Sequence, residues 1–152
     1  MTRFLIIYHS TTGNTKAMAE AIRDGAQSLH VDVELMEAFD AKPEDIASAD
    51  AVGFGVPTFD YHPARPVLRL VNDLLEIAAD GKIAVVFGSY GWSGQGVVVI
   101  AEKLRQIGFK VVDPVTRAKY TPSENELEGL KLLGKDVAAI VKHQKPTLSL
   151  NA

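Results

Sequence analysis

The sequence predicts an α/β fold, a doubly wound sheet of five parallel strands with helices on both faces. Three observations carry this. Short apolar runs rich in β-branched residues alternate with stretches of helical period, which is the pattern of successive βαβ units. Such runs suit strands buried on both faces of a parallel sheet. The chain has 152 residues, 47% hydrophobic and 23% charged. That suits one globular domain, able to bury roughly 70% of its unfolded surface without metal or disulfide. The expectation is a single domain over 1–152, with about 143–152 as a loose tail because periodicity stops there.

Each element has its own warrant. Phe4–Tyr8 is the first strand. Met18, Ile22, Gly25, Ala26 and Leu29 then share one helical face. Val31–Met36 is the second strand, and Pro43–Ala47 supports at most a short helical turn. The third strand is Ala51–Gly55. Val67, Leu70, Val71, Leu74 and Ala78 line the next helix, and Ile83–Gly88 is the fourth strand. Val97, Ile100, Ala101, Leu104 and Ile107 form a helical face closed by Gly108 in the usual C-terminal cap position. Lys110–Val112 is the fifth strand. The last helix carries Leu127, Leu130, Leu133, Val137 and Val141. Ser123-Glu124-Asn125-Glu126 opens it as a capping box, with Pro122 just outside.

Composition excludes several functions. There are no cysteines, so disulfides, thiolate metal sites and cysteine nucleophiles are absent. A formal charge of −3 does not suggest a nucleic-acid binder, which would usually show a basic face. No apolar segment approaches the ~20 residues of a membrane span, and the apolar run at the start is too short for a signal peptide. A cytoplasmic location is expected.

In a doubly wound sheet, ligands bind beyond the carboxyl ends of the strands, where the strand order reverses. The loops after the first, third and fourth strands are therefore the places to look. The first, Ser10-Thr11-Thr12-Gly13-Asn14-Thr15, puts four hydroxyls, an amide and a glycine at a helix start. Free N–H groups and the helix dipole favour an anion there, and the hydroxyls complete a phosphate cage. A single Ser or Thr would suffice for capping alone. No G-x-x-x-x-G-K-[ST] occurs, so it is not a Walker loop. The second loop contains Pro57, Thr58, Phe59, Asp60 and Tyr61. Its aromatics would stack on a planar ligand or, equally, pack on the following helix. The third runs from Gly88 to Gly96 through Ser89, Tyr90, Gly91, Trp92, Ser93 and Gly94. It has four glycines in nine residues and the chain's only tryptophan. Its backbone can approach a ligand closely and present N–H groups to a heterocycle.

A phosphate cage and two aromatic loops suit a mononucleotide with a large flat ring, and the resemblance then becomes specific. Ser10–Thr15 resembles the [ST]-x-[ST]-G-N-T phosphate loop of flavodoxins, the FMN-dependent electron carriers, and the likeness covers almost the whole chain. More narrowly, Gly55-Val56-Pro57-Thr58 and Phe87-Gly88-Ser89-Tyr90-Gly91-Trp92-Ser93-Gly94 look like the flavodoxin-like domain of flavodiiron proteins, or A-type flavoproteins. The resemblance implies a strand order of 2-1-3-4-5, FMN as cofactor, no catalytic residue and no metal. Since Pro114 follows the fifth strand closely, the likeness is to the short-chain type. Two departures stand out. The iron cluster of flavodiiron proteins lies in a separate domain, and the four histidines here (His9, His30, His62, His143) form no such motif. Thr58-Phe59-Asp60-Tyr61 also replaces the Thr-Ile-Asn usual in that branch.

By the same resemblance, the side chains of Ser10, Thr12, Asn14 and Thr15 hold the FMN phosphate, together with the N–H groups of Thr11 and Gly13. Pro57, Thr58, Phe59, Asp60 and Tyr61 follow the redox edge of the ring. Ser89, Tyr90, Gly91, Trp92, Ser93 and Gly94 contact its pyrimidine end, with Tyr90 or Trp92 over a face. The implied function is a low-potential electron-transfer carrier between redox partner proteins, a reductase and an electron acceptor, working as a monomer or weak dimer. The alternative is an FMN-dependent NAD(P)H:quinone or nitro reductase of the same fold, for which no inserted loop supplies a substrate pocket. A response-regulator receiver would need carboxylates where Tyr8-His9 and Gly53-Phe54-Gly55 stand.

Overall fold

Strand β1 (Arg3–Tyr8) buries Phe4, Leu5, Ile6 and Ile7 completely. A strand with no wet side must be covered twice, and alternation divides its side chains between two cores. Phe4 and Ile6 join Met18 and Ile22 of α1 (Asn14–Gln27) and Leu130 and Val137 of α5 (Glu124–Val141). Leu5 and Ile7 join Val67 and Leu70 of α3 (Arg65–Asp73) and Ile100 and Leu104 of α4 (Gln95–Ile107). Each such side chain contributes about 1.5–3 kcal/mol through burial. The computed structural model from which this is read describes residues 3–59, 62–74, 79, 81–91, 94–112 and 116–143. Ala78, Pro114 and residues 144–152, to which the sequence assigns a helix face, a strand end and a tail, lie outside the described residues.

Strands β2 (Asp32–Glu37), β1, β3 (Ala51–Gly55) and β6 (Ile83–Tyr90) lie side by side, all parallel, with Leu5 level with Val52 and Val52 with Ala84. The next position holds two short strands, β7 (Lys110–Val111) and β8 (Thr116–Lys119), which pair in parallel with the start and the end of β6. Counting that pair as one strand gives the order 2-1-3-4-5, as expected. The single fifth strand expected at Lys110–Val112 is thus only half of what is there. Thr116-Arg117-Ala118-Lys119 shows no apolar run because it is an edge strand that buries Ala118 alone.

The fourth strand also runs past its expected end at Gly88 to Tyr90. Its end is gripped from both sides: Tyr90 pairs with Lys119 of β8 and with Thr58 of β4 (Thr58–Phe59), which makes a small hairpin with β5 (His62–Pro63). The sheet is thereby extended at the carboxyl ends of its strands.

Other local signals behave as read. Ser123 Oγ accepts the Glu126 N–H at 3.1 Å and Glu126 Oε1 accepts the Ser123 N–H at 2.9 Å, the reciprocal capping box that starts α5. Gly108 ends α4 at φ 115°. Helix α2 (Pro43–Ala47) is a short turn. Its terminal carbonyls are held by Lys82, whose Nζ donates to Ile46 and Ala47 at 2.9 Å and also to Ala49. Burial lowers the Lys82 pKa below the usual lysine value, and the charge of Asp50 opposes that shift. Helices α1 and α5 cross at two glycines: a Cβ on Gly25 would lie 1.7 Å from the Lys131 carbonyl oxygen, and one on Gly134 2.0 Å from that of Ile22. Among the described residues, no helix is long and apolar enough to cross a membrane.

Candidate functional site

Three strand ends open onto one cavity of about 420 Å³, lined by Ser10, Thr11, Thr12, Asn14 and Thr15, by Pro57, Thr58 and Phe59, and by Ser89, Tyr90 and Gly91. The chain comes together there because β1, β3 and β6 are neighbours in register. The His9 N–H donates to Gly55 O at 3.1 Å and the Val56 N–H to Phe87 O at 2.8 Å, so the loops leave the sheet at one level.

The first loop turns into α1 through Gly13, which sits at φ 90° as the residue preceding the helix. That left-handed conformation favours glycine. Ser10 Oγ accepts the Gly13 N–H at 3.0 Å and the Lys16 N–H at 3.4 Å, and Thr12 Oγ1 lies 3.5 Å from the Asn14 N–H. The loop is therefore folded on its own hydroxyls around a helix start. The first turn of α1 has no acidic residue, so the dipole, roughly half a positive charge, is not cancelled. Among the described residues, no charged side chain lines the cavity. An anion there would be held by dipole, hydroxyls and N–H groups.

Thr15 differs from its neighbours. It is 1% exposed, its Oγ1 lies 2.9 Å from Ser89 Oγ, and it accepts the Ser89 N–H at 3.4 Å. It ties the first loop to the end of β6 as well as facing the cavity. Thr58 does the same for the second loop, because its Oγ1 accepts the Gly96 N–H at the start of α4 at 3.0 Å. Gly94 immediately precedes α4, and a Cβ there would crowd Tyr90 and Arg117, so it supports the wall from behind. Asp60, Tyr61, Trp92 and Ser93 lie outside the described residues.

The sequence reading missed Tyr120. It lines the cavity, is 62% exposed, and holds φ 56°, with its N–H donating to Tyr90 O at 2.7 Å. A bulky residue in the left-handed region costs about 1–2 kcal/mol and marks a position over-determined by its surroundings. The available signal was the rule that ligands sit beyond strand ends. It does not reach Tyr120 because the apolar run of the fifth strand ends at Val112, eight residues earlier.

The cavity has a polar end of hydroxyls at a helix start, which could take an anion, and walls of Pro57, Phe59, Tyr90 and Tyr120, against which a flat ring could lie. Its size lies within the ~300–1,000 Å³ of small-molecule sites. Among the described residues, no group of His, Cys, Asp and Glu is placed to hold a metal.

Comparison with known proteins bears on the family and the fold. The family described as Flavodoxin matches residues 6–132. A putative diflavin flavoprotein A 6 of Nostoc is 37% identical over 90% of this chain and 25% of its own length. A type A flavoprotein of Rhodobacter capsulatus is 35% identical over 88% of this chain and 32% of its own. The chain thus spans about a quarter to a third of these relatives. A solved flavodoxin from the domain Archaea is 42% identical, covers 93% of this chain and 100% of its own, and superposes with a TM-score of 0.88.

Proposed function

The chain belongs to the flavodoxin family, and from that premise we propose that it binds FMN and carries electrons, at low potential, between redox partner proteins. The observation that supports this best is the cavity itself, a hydroxyl-rich helix start with no acidic residue in its first turn, at the end of an aromatic slot. FMN, when bound, supplies reversible electron uptake, and the protein supplies position and surroundings.

In this reading the phosphate lies at the start of α1, held by Ser10, Thr12, Asn14 and Thr15, by the Thr11 N–H, and by the Gly13 N–H, which it shares with Ser10 Oγ. Ser10 Oγ is shared with the Gly13 and Lys16 N–H groups, which turns its own proton outward as a donor. Pro57, Thr58, Phe59, Asp60 and Tyr61 border the redox edge. Ser89, Tyr90, Gly91, Trp92, Ser93 and Gly94 border the pyrimidine end, and Tyr120 joins Tyr90 or Trp92 as a cover that excludes water. Phe59, 46% exposed, and Tyr120 stand at the mouth, where an apolar contact with a reductase or an electron acceptor brings the partner nearest the ring. The assignment also includes a single domain, a monomer or weak dimer, and a cytoplasmic location.

Titration of apo-protein with FMN and with riboflavin tests the reading. Riboflavin leaves the phosphate donors unpaired at about 1–3 kcal/mol each, so two donors alone make FMN tighter by roughly 30-fold or more. Equal affinities would overturn the phosphate assignment.

A further inference from the structure

A second hollow, of about 470 Å³, lies between α3 and the segment running from the end of β2 into α2, and shares no lining residue with the first. We propose that it is a binding site for a small aromatic anion, a flat ring carrying a phosphate, sulfonate or carboxylate. This goes beyond the FMN site and does not depend on it.

The apolar wall is made by Phe39, Pro43, Pro66 and Leu70. Phe39 is 72% exposed, the most exposed large hydrophobic residue among those described. It is nevertheless held in place. Its ring meets the His9 ring edge-on at 5.5 Å between centroids, and its N–H lies 3.4 Å from Glu37 Oε1, a carboxylate that also lies 3.2 Å from His9 Nδ1. A fixed aromatic ring beside an open hollow is a preformed surface on which a second ring can stack.

The rim sets the charge of the ligand. Among the described residues, Lys42, Arg65 and Arg69 line the hollow against a single carboxylate, Asp73, in a chain whose net charge is −3. Among the described residues, none of the three cationic head groups has a carboxylate within ion-pair distance. Arg65 and Arg69 are one turn apart on α3, so they share a face and repel each other. An anion between them relieves that repulsion and can be gripped by two guanidinium forks. The hollow is also within the size range of small-molecule sites, large enough for one or two fused rings with a charged substituent.

The test uses the FMN-loaded protein, with the first cavity filled, and reads backbone amide shifts during titration with adenosine monophosphate, adenosine and anilinonaphthalene sulfonate. The expected result is saturable shifts confined to residues 38–43 and 65–73 for one or both anions. Binding of adenosine monophosphate alone identifies a nucleotide, and of the sulfonate alone a non-nucleotide aromatic acid. Arg65→Gln combined with Arg69→Gln should weaken anion binding at least tenfold, Phe39→Ala should do so comparably, and Asp73→Asn should tighten it severalfold. All four positions are exposed or rim positions outside the FMN site, so FMN affinity should not change. The proposal is overturned if neither anion saturates below about 10 mM. It is equally overturned if adenosine binds as well as its monophosphate, or if the double arginine variant and Phe39→Ala bind as the parent does.

Discussion

Replacing Thr15 by valine removes a hydroxyl and keeps the side-chain shape, so no cavity confuses the result. Two contacts are lost, the 2.9 Å bond with Ser89 Oγ and the 3.4 Å bond from the Ser89 N–H. Both residues are almost wholly buried, at 1% and 7% exposure, so water has little access to the groups left behind. An unpaired buried group costs about 1–3 kcal/mol. The long N–H contact supplies the smaller share, so the apo-protein should lose about 2 kcal/mol of stability, a fall in Tm of roughly 4–8 °C for a domain of this size. FMN affinity should drop about tenfold or more as well, since the loop is no longer tied to β6 and one donor to the phosphate is gone. Urea unfolding of the parent, Thr15→Val, Ser89→Ala and the double variant measures the bond directly. A coupling energy of about 0.5–3 kcal/mol is expected for two side chains in contact. A loss below about 0.5 kcal/mol with additive single variants would refute the brace between phosphate loop and sheet.

Three further substitutions separate stability from binding. Gly13→Ala keeps open space around the new Cβ but forces φ 90° on a residue that resists it, so urea titration should show a loss of about 1 kcal/mol, with weaker FMN binding. Gly134→Ala would drive a methyl to 2.0 Å from the Ile22 carbonyl oxygen. Parting α1 from α5 should cost about 1–3 kcal/mol in a thermal melt while FMN affinity of the folded protein is retained. Tyr120→Gly relieves the strain at φ 56° and removes a wall of the cavity. The apo-protein should hold or gain up to ~1 kcal/mol while FMN binding weakens, a pair of opposite signs read by urea and fluorescence titration.

Local chemistry made much of this protein legible in one dimension. The two-sided apolar runs of β1, β3 and β6 state that helices must cover both faces. The hydroxyl cluster Ser10–Thr15 marks a candidate anion site, because donors gathered at a helix start are written in neighbouring residues. Ser123-Glu124-Asn125-Glu126 and Gly108 mark helix boundaries for the same local reason. What the tertiary structure decided are the features that exist only between distant segments. Strand β8 has no apolar run to announce it and forms because β6 offers an unpaired edge. Tyr120 reaches the cavity only because β8 carries it there, and its left-handed backbone is held by Tyr90. The link from Thr15 to Ser89 joins residues 74 positions apart, and the opposed glycines of α1 and α5 acquire meaning only when the helices cross. Periodicity and capping are written in neighbouring residues, whereas an edge, a wall or a crossing depends on which surfaces the folded chain brings into contact.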